Sequence, residues 1–151
     1  MSLEVLIEDS EIIQNLEQKA QEIPERLSEL VTECAMIIQS NVMDEAPFIT
    51  HNLQASTQIE FSDNGLTARI YPDEGLAPYA VYVIMGTAPH MIFPVEAQSL
   101  YWPGLGHPLP KGRGVYHPGT DANPYLERGF EYAKSDIDSE IENFKEWLIG
   151  E

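Results

Sequence analysis

The sequence predicts an α+β fold in which N-terminal helices and a long C-terminal helix pack on an antiparallel β-sheet. Apolar residues recur at helical spacing near both ends of the chain and alternate with polar residues in its middle. A long loop rich in proline and glycine, at about residues 87–123, separates the predicted strands from the final helix. Because 151 residues suffice for one hydrophobic core, we predict a single domain over residues 1–151 that contains this loop.

The N-terminal region is predicted to be helical after a short first strand at residues 3–8. Asp9 or Ser10 is a suitable cap, because its side-chain oxygen can accept a hydrogen bond from an unpaired first-turn N–H. We expect Pro24 to bend or restart the helix, since proline lacks the N–H of an interior turn. Pro47 disfavours helical geometry in the residue before it, so the helical segment is predicted to end there.

The middle of the chain changes to the two-residue repeat of a half-buried strand at residues 53–61. Asn64 and Gly65 follow, and this pair tolerates the positive φ angles of a tight hairpin turn. Residues 66–71 alternate again, so we predict two antiparallel strands joined by this turn. The apolar run 79–85 is rich in tyrosine and valine and is predicted to be a further strand.

The segment 86–123 holds six of the ten glycines, six of the eleven prolines and three of the four histidines. Since a structureless loop of this length is unusual in a compact domain, we predict short strands near residues 91–93 and 114–116. After the loop, Asn123 is the predicted cap of the final helix. Pro124 is its predicted first residue, where the missing N–H costs nothing.

The formal net charge of −17 is unevenly distributed along the chain. Residues 1–46 contain eleven acidic and two basic side chains, residues 47–120 five and three, and residues 121–151 nine and three. Such a chain has no general basic field for phosphates, so we expect no specific nucleic-acid binding. The acidic excess has two interpretations: solvated helix faces, or a surface that must not adhere to DNA passing nearby.

The cellular compartment is inferred from two features that the sequence lacks, a membrane span and a signal peptide. No apolar run approaches the length of a membrane span, and the N-terminus shows no signal peptide, so we expect no membrane association and synthesis in the cytoplasm. Cys34 is the only cysteine, which excludes an intrachain disulfide and a cysteine-cluster metal site. Its apolar, helical surroundings favour a buried structural thiol over a nucleophile.

The sequence contains neither a Gly-x-Ser-x-Gly nucleophile motif nor a phosphate-binding P-loop. His90, His107 and His117 are 17 and 10 residues apart, which matches no helical metal-binding pair. Neighbouring prolines suit loop histidines that bond to backbone carbonyls. We therefore predict no catalytic, cofactor-binding or metal-ligating residues, and no enzyme activity. The alternative is a small metal-dependent hydrolase that uses these histidines together with an acidic residue.

Large apolar side chains lie in the long loop, at Met91, Phe93, Tyr101 and Trp102. Such residues either fold back onto the domain or are presented to a partner. Methionine and aromatic side chains are enriched at the cores of protein interfaces. We take these four as the candidate assembly interface, and we hypothesise that residues 88–118 are mainly an assembly surface and not part of the core.

Five stretches carry a resemblance. Residues 46–56 read Ala-Pro-Phe-Ile-Thr-His-Asn-Leu-Gln-Ala-Ser, and residues 79–87 read Tyr-Ala-Val-Tyr-Val-Ile-Met-Gly-Thr. Residues 88–94 read Ala-Pro-His-Met-Ile-Phe-Pro, residues 100–102 read Leu-Tyr-Trp, and residues 117–126 read His-Pro-Gly-Thr-Asp-Ala-Asn-Pro-Tyr-Leu. In their order and spacing these stretches resemble the tail-component family of long-tailed bacteriophages, which includes head–tail joining and tail-completion proteins.

The first stretch resembles the family pattern Ala-Pro-x-x-Thr-Gly-x-Leu-x-x-Ser, with His51 in the place of the glycine. The second resembles Tyr-Ala-x-Tyr-Val-Glu-x-Gly-Thr, with Ile84 at the acidic position. The last resembles His-Pro-Gly-x-x-x-x-Pro-Phe-Leu, which leads into the final helix. The matches together extend over roughly residues 27–150.

The resemblance implies an α+β fold, ring-like assembly at the head–tail junction or the tail end, and no enzyme activity. The implied partners are other copies of the chain and neighbouring phage head or tail proteins. The implied location is the host cytoplasm during assembly and then the virion. A monomeric regulatory or binding module of a prophage is a further alternative.

Overall fold

A computed structural model describes residues 10–48, 51–94, 99–101, 108–110 and 112–150. The predicted α+β fold is confirmed. Within these residues the strands form three separate two-stranded antiparallel ladders, β1–β2, β3–β6 and β4–β5. The elements in chain order are α1 Ser10–Glu45, α2 Asn52–Ala55, β1 Thr57–Ser62, β2 Thr67–Pro72, α3 Ala80–Met85, β3 His90–Ile92, β4 Ser99–Leu100, β5 Leu109–Pro110, β6 Val115–His117 and α4 Tyr125–Ile149.

The two long helices, α1 and α4, pack along each other and form the frame of the domain. Gly129 of α4 lies directly against Val42 of α1, so the backbones approach closely at this end. At the other end Lys19 of α1 donates hydrogen bonds to the carbonyls of Trp147, at 3.0 Å, and Leu148, at 3.3 Å. These carbonyls belong to the last turn of α4, so the lysine both pairs the two helices and caps the second one.

Helix α1 continues through Pro24 as one element, so it does not restart at this proline. The contacts on either side of the proline supply the reason. Lys19, before it, and Arg26, after it, both lie over the ring of Trp147, at 6.0 and 5.4 Å from its centre. Contacts with α4 therefore stabilise α1 on both sides of the proline, which offsets the missing N–H of this residue.

The C-terminal end of α1 lies where the sequence predicts it, and the N-terminal part is described from Ser10 onward. The helix ends at Glu45, which confirms the end predicted from Pro47. Ser10 is the first helical residue that the structure describes. The predicted strand at residues 3–8 and the candidate cap Asp9 lie outside the described residues.

The predicted hairpin is confirmed: β1 and β2 are antiparallel, with Ser62 opposite Thr67. The connection contains a 3-10 turn, and Asp63, Asn64 and Gly65 all have positive φ. The Thr67 hydroxyl donates to the Asp63 carboxylate at 2.7 Å and fixes the turn. The positive φ that Asn-Gly tolerates is therefore used at this position.

The predicted start of the first strand is wrong, because residues 52–55 form the single helical turn α2 and the strand begins only at Thr57. His51 precedes the turn in the left-handed region, with φ 57°, and the N–H of Ala55 donates to its carbonyl at 2.9 Å. The turn buries Leu53 in the core. Burial of this leucine outweighs the alternating pattern of the sequence.

The predicted strand at residues 79–85 is also wrong, because Ala80–Met85 is the short helix α3. Ala80 is buried, and Val83 and Ile84 pack against the same core. This spacing of three and four is the helical repeat, which a short apolar run does not reveal on its own. The N–H of Asn123 donates to the Val83 carbonyl at 2.9 Å and ties α3 to the segment before α4.

Helix α4 begins one residue later than predicted. Pro124 is the cap, with φ −76° and ψ 60°, and Tyr125 is the first helical residue. The Asn123 side chain does not cap the helix, because it accepts a hydrogen bond from Arg128 at 2.7 Å. Arg128 also donates to Glu45 at 2.8 Å, so this network joins the end of α1 to the start of α4.

The core lies where α1, α2, α3 and the start of α4 meet. Among the described residues none of its buried members comes from residues 88–118. The short strands predicted within that segment are confirmed as β3 and β6. None of the described helices has the length and apolar composition of a membrane span. The buried members of the core cluster are Val42, Ala46, Leu53, Ala77, Ala80 and Tyr125.

Candidate assembly surface

The β3–β6 ladder carries two chemically different faces. Its cross-strand pairs are His90 with His117, Met91 with Tyr116, and Ile92 with Val115. Successive residues of a strand point to opposite faces of a sheet. Met91 and Tyr116 therefore share one face, and the two histidines share the other.

The first face is apolar and exposed. Met91 is 48% exposed, Phe93 52% and Tyr116 63%. Phe93 lies one position beyond β3 and packs on Gly114, where an added Cβ would meet its ring at 2.6 Å. The missing side chain at Gly114 thus leaves room for the phenylalanine ring to lie across the ladder. We call Met91, Phe93 and Tyr116 the outer face.

Two of the four candidate interface residues predicted from the sequence, Met91 and Phe93, lie on the outer face. Tyr101 is also exposed, but it follows β4, which belongs to a different ladder. Trp102 lies outside the described residues. Sequence reasoning missed Tyr116, although it lies in a predicted strand, because only the pairing of β3 with β6 places it beside Met91.

The second face of the ladder forms one wall of a cleft of ≈ 450 Å³. Tyr79, Tyr82 and Val83, from α3 and the turn before it, also line this cleft. We call this space the α3 cleft. Its lining residues are Pro47, Leu53, Tyr79, Tyr82, Val83, Thr87, His90, His117, Thr120, Asp121 and Asn123.

The two histidine rings of the α3 cleft stack at 5.1 Å between centroids, with an interplanar angle of 30°. His90 Nδ1 donates to the carbonyl of Ala88 at 2.8 Å, since a carbonyl oxygen only accepts. His117 Nδ1 accepts from the N–H of Gly119 at 3.1 Å. Backbone groups therefore occupy one nitrogen of each ring, and only the Nε2 atoms remain for an incoming group.

Metal binding has little support in the part of the chain that the structure describes. No three His, Cys, Asp or Glu side chains there are placed to hold one ion. His107, the third histidine of the hydrolase alternative, lies outside that part. The structure does bring His90 and His117 together. They are so far apart in the sequence that no helical spacing rule identifies them as a pair.

Cys34 lies partly buried on α1. Burial raises the pKa of its thiol above the ordinary 9.0, and the nearby carboxylates of Glu140 and Glu33 raise it further. The thiol is therefore the dominant form at neutral pH. Since the thiolate is the nucleophile, this environment does not favour covalent catalysis.

Charge separates the ladder from the two long helices. Residues 75–120 contain one acidic and two basic side chains, and this segment supplies the outer face and most of the α3 cleft. The basic side chains of α1 and α4 are already engaged, so both helices present a net acidic surface. Their contacts are Arg26–Glu29, Arg128–Glu45, Lys134–Glu131, Lys145–Glu142 and Lys19 with the α4 carbonyls.

The chain matches no known family model, no curated protein and no solved structure. Its resemblance to phage tail components therefore rests on the short stretches quoted above. The structure adds one observation to them. Every residue that lines the α3 cleft belongs to one of the stretches 46–56, 79–87, 88–94 and 117–126.

Proposed function

We propose that this chain is a structural virion protein of a long-tailed phage or prophage, a head–tail joining or tail-completion component that assembles as a ring. Its partners are copies of itself and neighbouring head or tail proteins. It works in the host cytoplasm during assembly and then in the virion. The observation that carries the proposal is the outer face: Met91, Phe93 and Tyr116 are exposed together on a nearly uncharged segment of a chain with net charge −17.

The outer face suits assembly because the rest of the surface opposes it. Copies that each carry −17 repel one another, and the repulsion is strongest where the acidic helices face each other. Association is favoured only where apolar area is buried without bringing acidic side chains together. Full burial of an exposed Met or aromatic side chain contributes about 1.5–3 kcal/mol, and these half-exposed residues contribute roughly half of that each.

The α3 cleft supports the same proposal. The stretches that resemble phage tail components are far apart in the sequence, yet they meet around this one space. A shared site explains why these stretches, and not the long helices, carry the resemblance. The cleft is lined by two tyrosines and three aliphatic residues together with six polar residues, and its apolar part can receive another apolar surface.

A second candidate function, the metal-dependent hydrolase, has one specific observation in its favour. His90, His117 and Asp121 all line the α3 cleft. Catalytic zinc sites use three protein ligands, however, and the described residues do not assemble three. The cleft is therefore better suited to contact than to metal chemistry.

Complementation tests the proposed function. A phage or prophage that carries this gene and then loses it should stop producing joined, infective particles, and the wild-type gene supplied separately should restore them. A variant in which residues 91–115 are replaced by a short Gly/Ser linker should not restore them. Full infectivity without the gene, or full rescue by the linker variant, would contradict the proposal.

A further inference from the structure

We infer that the contact between neighbouring copies is heterologous: the outer face of one copy seats in the α3 cleft of the next. This inference rests on the proposed function and specifies the contact by which the ring is built. It assigns a role to both faces of the β3–β6 ladder. The occupant of the cleft is a second copy of this chain.

Geometry is the first support. His90 and His117 form a wall of the α3 cleft, and Met91 and Tyr116 point to the opposite side of the same two strands. One copy therefore cannot place its own outer face in its own cleft. Because the two surfaces face opposite sides of the ladder, a two-fold dimer cannot seat both of them against one partner, whereas a head-to-tail contact fills both and continues from copy to copy. Such a chain of contacts closes into a ring when the rotation from one copy to the next completes a full turn.

The chemistry of the two surfaces is complementary. The cleft offers the rings of Tyr79 and Tyr82 and the aliphatic side chain of Val83, and its volume of ≈ 450 Å³ lies in the range of protein binding pockets. The outer face offers Met91, an unbranched and adaptable side chain, and aromatic rings. The Nε2 atom of His90 is an acceptor when Nδ1 carries the proton, so it can receive a hydrogen bond from the Tyr116 hydroxyl of the next copy.

Charge supports a second copy as the occupant. The segment 75–120, with one acidic and two basic side chains, is the one long part of the chain without an acidic excess. The outer face lies within this segment. Residues 79–88, which include α3, lie within it as well. The cleft has one acidic lining residue, Asp121, and the outer face has none, so the two surfaces meet with less repulsion than a contact through α1 or α4.

Two complementary variants test the inference. Met91→Glu with Tyr116→Glu places two carboxylates on the outer face and leaves the cleft intact, and Tyr82→Glu places one in the cleft and leaves the outer face intact. The matched control is Tyr132→Glu on α4, because Tyr132 is 62% exposed, against 63% for Tyr116 and 60% for Tyr82. Circular dichroism verifies that each variant is folded. Sedimentation velocity then measures the mass of each protein alone and of the two variants mixed in equal amounts.

We expect wild type and the Tyr132→Glu control to form the same closed oligomer, and each of the two interface variants to be monomeric. Their mixture should form a one-to-one dimer and nothing larger, because it contains one intact outer face facing one intact cleft. A mixture that stays monomeric would overturn the inference. If both interface variants assemble like wild type, the inference is wrong, but assembly through another surface stands. A wild type that is monomeric at all concentrations contradicts the proposed function as well.

Cysteine cross-linking gives a second measurement if a glutamate variant does not fold. In a Cys34→Ala background, Tyr82→Cys and Tyr116→Cys are combined in one chain and mildly oxidised. A heterologous contact predicts a ladder of covalent dimers, trimers and larger species up to the ring. Cross-linking that stops at the dimer, or does not occur although the protein is assembled, would contradict the contact.

Discussion

Gly129 of α4 lies so close to Val42 of α1 that an added Cβ would stand 2.5 Å from the valine Cα. The contact is with backbone atoms, so it cannot be relieved by rotating a side chain. It sets the closest approach of the two long helices at the end where the core lies. A glycine inside an otherwise regular helical pattern is the one signal of this contact in the sequence.

The first prediction follows from this contact. Gly129→Ala should destabilise the protein by about 1–3 kcal/mol, because the methyl group forces α1 and α4 apart. In an unpacked helix the same substitution would stabilise by up to about 1 kcal/mol, so the sign alone is informative. Urea denaturation followed by circular dichroism measures the change.

Ser139→Ala is the control for that measurement, because Ser139 is an exposed residue of the same helix. It should alter the free energy of unfolding by less than about 0.5 kcal/mol. A Gly129→Ala protein as stable as this control would show that the helices do not approach as described.

The second prediction concerns Tyr125. Its ring is fully buried in the core, and its hydroxyl has no hydrogen-bond partner among the described residues. Since an unsatisfied buried hydroxyl costs about 1–3 kcal/mol, Tyr125→Phe should leave the free energy of unfolding unchanged or raise it. A loss of more than about 1 kcal/mol would show that the hydroxyl has a partner.

The same residue predicts a dependence on alkaline pH. Burial raises the pKa of Tyr125 above the ordinary 10.0, and the nearby Tyr79 raises it further. The unfolded chain releases this proton at lower pH than the folded one. The stability that belongs to the group is therefore complete below pH 10 and is lost as the pH rises from there through the folded-state pKa. Denaturation between pH 8 and 11 should show a smaller alkaline loss for Tyr125→Phe than for wild type, and equal losses would contradict this assignment.

The third prediction concerns His51, which has φ 57° where the resembling family pattern has glycine. A left-handed conformation costs a non-glycine residue about 1–2 kcal/mol. Glycine avoids this cost, but its larger conformational entropy in the unfolded chain offsets part of the gain. His51→Gly should stabilise by up to about 1 kcal/mol. His51→Ala should destabilise, because it keeps the unfavourable φ and loses the edge contact with Phe48 at 4.3 Å between rings. The stability order Gly, His, Ala is the expected result, and an alanine variant as stable as the glycine one would contradict it.

The sequence predicted those parts of the fold that local chemistry decides. The turn at Asn64 and Gly65 and the end of α1 before Pro47 depend on backbone preferences within a few residues, and both are confirmed. The strand predicted at residues 79–85 failed for the opposite reason. Which of its apolar side chains are buried depends on Leu53 and Tyr125, which reach α3 only in the folded domain.

The candidate surface was predicted in part for a similar reason. Met91 and Phe93 are identifiable as large apolar residues in a loop of low charge. Tyr116 and the two histidines acquire their places only through the β3–β6 register. No local pattern specifies a pairing between strands that are more than twenty residues apart, because their spacing obeys no short repeat.

The fourth prediction addresses the hydrolase alternative. Protein purified without chelators should contain no stoichiometric zinc, manganese or iron, because the described residues provide two imidazole nitrogens and no third ligand. Elemental analysis measures the metal content. A full equivalent of metal that disappears in both His90→Ala and His117→Ala would establish a metal site and reverse the preference between the two functions.

The fifth prediction depends on how the long loop is anchored. Thr87 and Thr120 exchange two backbone hydrogen bonds, at 2.9 and 3.1 Å, and close the base of the loop. The described part of the segment 88–118, which lies beyond this closure, contributes no member to the core cluster, and Pro94 is its one buried residue. Replacing residues 91–115 with a short Gly/Ser linker should therefore leave a domain that unfolds cooperatively, although it removes Met91 and Phe93 and unpairs Tyr116.

Light scattering of this linker variant and of wild type, over a range of protein concentrations, tests the central claim most directly. Wild type should show one mass that is a multiple of the 17.0 kDa chain and larger than a dimer. The linker variant should unfold cooperatively and have the mass of a monomer. A wild type that remains at 17.0 kDa at every concentration, or a linker variant with the mass of the wild-type oligomer, would contradict assembly through this surface.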